Sequence, residues 1–358
     1  MGQDQSQLPH IQGLICPLPH THTETVVIGH GSGGSMTRDL IANIFQARLN
    51  NTILAEGNDA ARIHFAEPTG IIAVSTDTHV VSPLFFPGGD IGRLAVSGTV
   101  NDVAMLGAHP SYLTAGFVLE EGFPIDQLVK IVESMAETCQ EAGVQIVAGD
   151  TKVVEKGKAD GVFINTAGFG VIPVGRQIGG QYAQPGDAVL ISGSLGEHSI
   201  AVLQARGELG FESGIQSDVA PLNHMIGDLL AAVPEVHVLR DPTRGGLGTS
   251  LNEIACQSNV SIHLEEHLIP VKPDVRVACE MLGFDPLYLA NEGKVIVILP
   301  ENSAETALAA LKKSPYGTLS ARIGTVAERD PGQVLLHTAF GTTRMISMLS
   351  GEILPRIC

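Results

Sequence analysis

Tryptophan is missing from this 358-residue chain, aromatic residues make up 4% of it, and 41 residues are glycine. With 44% hydrophobic and 16% charged residues, that balance excludes a disordered chain and reads as a globular protein rich in tight turns. Basic residues are scarce: 21 Lys and Arg stand against 38 Asp and Glu, a formal charge of −17. Such a surface repels phosphate backbones, and no local basic patch offsets it, so nucleic acid is excluded as a partner. Long apolar runs are missing too. VIVIL (295–299) and AVLIS (188–192) have strand lengths, far short of the roughly 20 residues that cross a bilayer. Residues 1–28 lack a basic segment followed by an apolar stretch, so neither a membrane span nor a secretory signal is expected, and the cytoplasm is the expected location.

Cysteine is rare and unpaired. The five residues, at 16, 139, 256, 279 and 358, form no CxxC, which excludes a disulfide framework or a zinc site. Cys139 and Cys256 fall in helical patterns and are expected to be small buried apolar groups. Cys358, the last residue, fits no such role, and an exposed terminal thiol is an oxidation liability unless it works. No G-x-x-x-x-G-K-[ST] occurs, which excludes a P-loop.

What is present alternates strand and helix. After a polar extension, 1–24, with His10, His20 and His22, TVVIGHGSGG (25–34) reads as a strand entering a glycine loop. The following helix carries Leu40, Ile41, Ile44, Phe45 and Leu49 on one face. A strand at 71–77, helices at 91–108 and 125–143, and strands at 144–150 and 162–172 complete a first α/β domain, 25–174. The aperiodic segment 173–187 separates it from a second α/β domain, 175–345, with strand–turn–helix units at 188–206, 236–255 and 294–313 and a strand at 333–337. Beyond that the chain turns polar, and 346–358 is expected to be a mobile tail with few core residues.

GHGSGG satisfies G-x-G-x-x-G through Gly29, Gly31 and Gly34, and is either a phosphate cradle, with Glu56 as a ribose ligand, or a tight turn. The acids say more. Asp77, Asp150 and Asp241 each end a strand, while Asp59 and Asp102 lie in adjoining elements. Singly each is a turn residue or a cap. Together they are hard oxygen ligands able to hold Mg²⁺ against nucleotide phosphates, and Lys152 beside Asp150 adds a cation, which points to ATP-dependent phosphoryl transfer.

The run STDTHVVSPLFFPGGDIGRLAVSGTVNDVAMLGAHP (75–110), with GHGSGG, AGDTKVV, RDPTRGGLG and ANEGK, resembles the superfamily of aminoimidazole ribonucleotide synthetase, thiamine-monophosphate kinase and selenophosphate synthetase. The terminal PRIC is similar to that of the HypE family of hydrogenase maturation factors, and the motifs run in order from Gly29 to Cys358. The resemblance implies two α/β domains, the N-terminal one pairing with a second copy into a dimeric β-barrel with ATP near that interface. It implies a nucleotide site from Gly31, Ser32, Gly33, Asp77, Asn101, Asp102, Asp150, Thr151 and Lys152. Metal ligands would be Asp59, Asp77, Asp102, Asp150 and Asp241. Asn58 and Pro242 depart from the pattern beside two of these acids.

The same resemblance implies a reaction. A HypF-type carbamoyltransferase loads Cys358, ATP drives dehydration of the S-carboxamide to an S-cyanate (a thiocyanate), and a HypC–HypD complex receives the cyanide ligand for the iron of [NiFe]-hydrogenase. Phosphorylating the amide oxygen makes it a leaving group; Glu292 is the candidate base and Lys152 the candidate group that orients the amide oxygen. Nine extended residues, 350–358, reach on the order of 30 Å, enough to move the thiol between two active sites. Three rivals stay open: a selenophosphate synthetase-like kinase, whose reactive Cys the glycine loop lacks; a thiol carrier without catalysis; and a Rossmann oxidoreductase. His30 and His79 read as structural.

Overall fold

The computed structural model describes residues 24–31, 35–53, 71–210, 214–349, 354 and 357. Its first half is built on a four-stranded sheet of β1 (Ile71–His79), β2 (His109–Glu120), β3 (Gln145–Val154) and β4 (Val162–Ile172). The spatial order is β1-β4-β2-β3, antiparallel except for the β2/β3 pair. In β1 the odd positions 73 to 79 turn inward and the even positions lie exposed, the period of two that a half-covered sheet imposes. Helices α1 (Ile91–Met105) and α2 (Ile125–Ala142) pack together beside it.

Helix α1 starts at Asp90, whose side chain accepts from the N–H groups of Gly92 and Arg93. Nearly all of it is buried, because its far end, Ala104 and Met105, belongs to a core of the second half. An all-round buried helix needs no polar face, which explains its evenly apolar sequence. Helix α2 is amphipathic and ends on Gly143 at φ 70°, the left-handed cap that glycine accepts without strain.

The second half holds a seven-stranded sheet of β5 (Asp187–Ile191), β6 (Val238–Arg240), β7 (Ser261–Glu265), β8 (Ile296–Pro300), β9 (Ala321–Ala327), β10 (Val334–His337) and β11 (Thr343–Ile346). Its order is β11-β10-β7-β9-β5-β8-β6, with β10/β7 the parallel pair. Helices α3 (Glu197–Ala205), α4 (Asn223–Ala232), α5 (Gly246–Ser258), α6 (Pro273–Leu282) and α7 (Ala304–Leu311) accompany it. Leu190, Val297 and Leu299 join the core of α4 and α7. Val189, Ile296 and Ile298, their neighbours in sequence, face the opposite way and join α5. Strands covered on both faces read as continuous apolar runs, and VIVIL and AVLIS do.

Several expectations need correction. Residues 25–28 form no strand: Thr25 makes an isolated bridge to Pro124, and Ile28–Gly31 is a turn of 3-10 helix. The helix after the glycine loop runs as Ser35–Leu40, a π-helical stretch Ile41–Gln46, and Ala47–Leu49, with Leu40, Ile44 and Phe45 buried as the spacing predicts. Cys139 is buried, but Cys256 is exposed, since it sits on the outer face of α5 near its end. The chain does not run out after residue 337, because β11 pairs with β10 and buries Ile346. Among the described residues no helix is long and apolar enough to cross a membrane.

Candidate active site

The inward face of β1 carries Ser75, Asp77 and His79 at alternate positions, facing α1, which carries Asp102. A Cβ at Gly98 would lie 3.0 Å from the His79 ring and 3.4 Å from Asp77 Oδ2, so glycine lets this helix close on the strand. The Ser75 hydroxyl donates to Asp102 Oδ2 at 2.7 Å. Asp77 Oδ2 stands 3.6 Å from Nε2 of the buried His79.

The second half supplies the other wall. Asp241 follows β6 at the mouth of the DPTRGG turn. The backbone N–H and the Nδ2 of Asn291 both donate to the Pro242 carbonyl, at 3.1 Å each, which locks the NEGK loop against that turn. The N–H groups of Glu292 and Gly293 donate to the two oxygens of Asp218, at 3.1 and 3.3 Å. Lys294 Nζ closes on Asp218 at 2.9 Å. Burial pushes the Asp218 carboxyl up, and the Lys294 charge, with the hydrogen bonds from Lys294 and the Glu292 N–H, outweighs it and holds it below the usual range. The loop bearing Glu292 is therefore fixed at its backbone, while the Glu292 side chain has no such support: Oε1 is buried with no hydrogen-bond partner.

Electrostatics join the two walls. Burial, then Asp218, Asp241, Asp77 and Asp102, push Glu292 well above the carboxylate range. Burial and the Asp241 charge push Asp102 up to about 7. Burial also raises Asp241. Such mutual repulsion means that acids of both halves share one cleft and are short of positive charge. Among the described residues no three His, Cys, Asp or Glu side chains converge as a preformed metal cage. The orphaned Glu292 oxygen and the raised acids fit the arrival of a hard divalent cation such as Mg²⁺ with its nucleotide.

Not every candidate joins this cleft. Asp150 is expected among the metal acids, but it lies exposed on the edge strand β3, where Lys152 Nζ neutralises it at 3.1 Å. The charges acting most strongly on Asp102, Asp241 and Glu292 do not include Asp150 or Lys152. Asp150 and Thr151 instead line a cavity of about 120 Å³ with Thr37, Phe45, Phe117 and Gly149. Its size is below the roughly 300 Å³ of a whole small-molecule site, so it suits only part of a ligand. Asn101, expected at the nucleotide, is placed at the junction of the two halves: its Nδ2 donates to the Ala220 carbonyl at 3.0 Å and its Oδ1 accepts from Leu222 N–H at 2.7 Å. These two bonds staple the two halves together through one donor and one acceptor of the amide. Gly31 ends the 3-10 turn, whereas Ser32, Gly33, Glu56, Asp59 and Cys358 lie outside the described residues.

The tail approaches this cleft. Ile357 is 5% exposed and belongs to the core that includes Val219 and Ala290, neighbours of Asp218 and of the NEGK loop. Its carbonyl lies 2.6 Å from Nε2 of His198, and Leu354 packs against the same seam. Sequence reasoning missed His198, Asp218 and Lys294. The buried lysine of ANEGK was a signal that a buried acid must exist, though not which one; SLGEHS gave none for His198.

The profile of "AIR synthase related protein, N-terminal domain" matches residues 57–172, and that of "AIR synthase related protein, C-terminal domain" matches 184–337. The carbamoyl dehydratase HypE of Azotobacter vinelandii is 55% identical over 93% of this chain and 97% of its own length. That of Escherichia coli K12 is 46% identical over 93% and 99%. The crystal structure of the hydrogenase maturation protein HypE in complex with ATP superposes with a TM-score of 0.90 at 52% identity, covering 93% of this chain and all of that one. In the crystal structure of a HypE–HypF complex, the matching chain gives 0.76 at 49% identity, covering 88% and 100%.

Proposed function

We propose that this chain, which belongs to the HypE family of hydrogenase maturation proteins, carries a carbamoyl group on its own Cys358 and dehydrates it in the cleft between its two halves. It is an ATP-dependent carbamoyl dehydratase that serves hydrogenase maturation. The observation that carries the tail's part is the burial of Ile357, the residue before Cys358, in the seam beside the Glu292 loop.

The chemistry follows from the walls of the cleft. The carbamoyl oxygen attacks the γ-phosphorus as the bond to ADP breaks. The C–O bond then breaks with phosphate leaving, and both nitrogen protons depart to give the S-cyanate, one of them to the departing phosphate. Glu292 takes the other: burial and the neighbouring acids disfavour its charged form, so the carboxylate gains basicity toward a proton delivered inside the cleft. Asp218 fixes the backbone of that base, and burial excludes competing water. Asp77, Asp102 and Asp241, with Asp59, would hold Mg²⁺, whose contribution when bound is to neutralise phosphoryl charge. Lys152, exposed at the sheet edge, would meet the nucleotide from outside rather than the amide.

A HypF-type carbamoyltransferase is the donor, as the HypE–HypF structure supports. A HypC–HypD complex is the acceptor in this reading. The outer face of β1, with Ile72 and Val74 exposed, supports pairing with a second copy. The test is mass spectrometry of the Cys358 peptide after carbamoylation and incubation with Mg–ATP. Loss of one water that requires ATP and fails in Glu292→Gln is expected; an intact carbamoyl group under ATP turnover would overturn the reading.

A further inference from the structure

His198 sits in the first turn of α3 with no exposed surface, an expensive place for an imidazole unless both ring nitrogens are used. Both are. Nε2 lies 2.6 Å from the Ile357 carbonyl and Nδ1 lies 2.8 Å from the Ser217 hydroxyl. A carbonyl only accepts, so the proton is on Nε2; Nδ1 then accepts from Ser217, whose oxygen in turn accepts from Val219 N–H at 3.1 Å. Phe86 meets the ring edge-on, with centroids 5.4 Å apart and planes at 89°, and fixes its tilt. Burial holds the imidazole below its usual range and so keeps the neutral tautomer that this relay needs.

The relay ends on the backbone of the tail, one residue before the thiol. It grips a carbonyl that every tail conformation carries, and Ile357 adds an apolar anchor in the core beside it. A residue with no group in the acid cleft is thus committed to a segment that has to leave for its donor and return.

We propose that His198 is a positioning residue for the C-terminal tail: through the Ile357 carbonyl it latches the tail in the interdomain seam and sets the fraction of time that Cys358 spends at its own active site. The proposal rests on the reading of Cys358 as the carrier.

The test uses the full chain. Cys358 alkylation by iodoacetamide is followed by peptide mass spectrometry at fixed pH, with the exposed Cys256 as internal reference. His198→Ala should raise the Cys358 rate about tenfold relative to Cys256, the worth of one hydrogen bond to a buried group. It should slow ATP-dependent water loss from the carbamoylated tail by a similar factor and leave ATP affinity unchanged. His198→Gln, which keeps a donor and is expected to fold, should recover part of both effects. Deleting residues 354–358 should cost the wild type more stability than it costs His198→Ala, a coupling that a purely structural histidine would not give. Alkylation at the wild-type rate in both variants, or ATP affinity falling in step with turnover, overturns the latch. Failure of the wild type itself to lose water would sink the carrier reading, while the alkylation rates would still decide on His198.

Discussion

The N–H of Glu292 donates to Oδ1 of Asp218 at 3.1 Å, so the candidate base is held by a carboxylate that has no place in the chemistry. Asp218→Asn keeps the shape and removes the charge facing Lys294. A broken buried ion pair costs about 3–5 kcal/mol, and the low end is expected because Glu197 still faces Lys294 at 3.5 Å. Urea unfolding measures the loss, and turnover should fall more than ATP affinity does.

Gly293 allows no side chain. A Cβ there would stand 1.8 Å from the Asp218 carbonyl oxygen and 2.8 Å from its carbon, both backbone. Gly293→Ala should therefore displace the Glu292 loop, cost about 1–3 kcal/mol and reduce dehydration at least tenfold. Unchanged turnover would show that the loop tolerates movement.

Asn101 separates a staple from a nucleotide ligand. Asn101→Ala orphans the Ala220 carbonyl and the Leu222 N–H, and should destabilise by about 2 kcal/mol. ATP affinity measured by calorimetry at a temperature where the variant is folded should stay within about twofold of wild type if the staple is its whole role; a tenfold loss would make Asn101 a nucleotide ligand as well.

The acid cleft predicts a pH dependence. Asp102 titrates near 7 in the folded chain against 3.8 in a model peptide, so between these values the folded state binds more protons than the unfolded one. Its contribution is most favourable below pH 4 and is lost as pH rises toward 7. The melting temperature of the nucleotide-free protein should fall across that window, and Asp102→Asn should flatten the fall. Parallel profiles for the two proteins would show that Asp102 is not under repulsion.

Much of the fold is legible because its signals are local. The alternation of β1, the apolar face of the helix at 125–142, and the runs at β5 and β8 each follow from period and composition. Strand β2 was not among the expected elements: its His-Pro start and internal glycine are weak strand formers, and its pairing with β3 and β4 holds it. In the site, Asp77 and Asp241 were visible as acids at strand ends and Asp102 in an adjoining element, while Glu292 came from the resemblance of ANEGK to the family. Asp150 looks the same in sequence and parts from them because β3 is an edge strand carrying its own lysine. His198 and Asp218 act through contacts more than 70 residues away in sequence, with Ile357 and with Glu292, which no local pattern encodes.

The central claim is that ATP activates the carbamoyl oxygen as a leaving group, and isotope transfer tests it most directly. Cys358 is carbamoylated with an oxygen-18 carbamoyl group and mixed with Mg–ATP in ordinary water, and the released phosphate is analysed by mass. The account predicts one labelled oxygen in each phosphate formed per cyanate. Unlabelled phosphate with label appearing in water would mean that ATP hydrolysis and dehydration are separate events, and the account would be wrong.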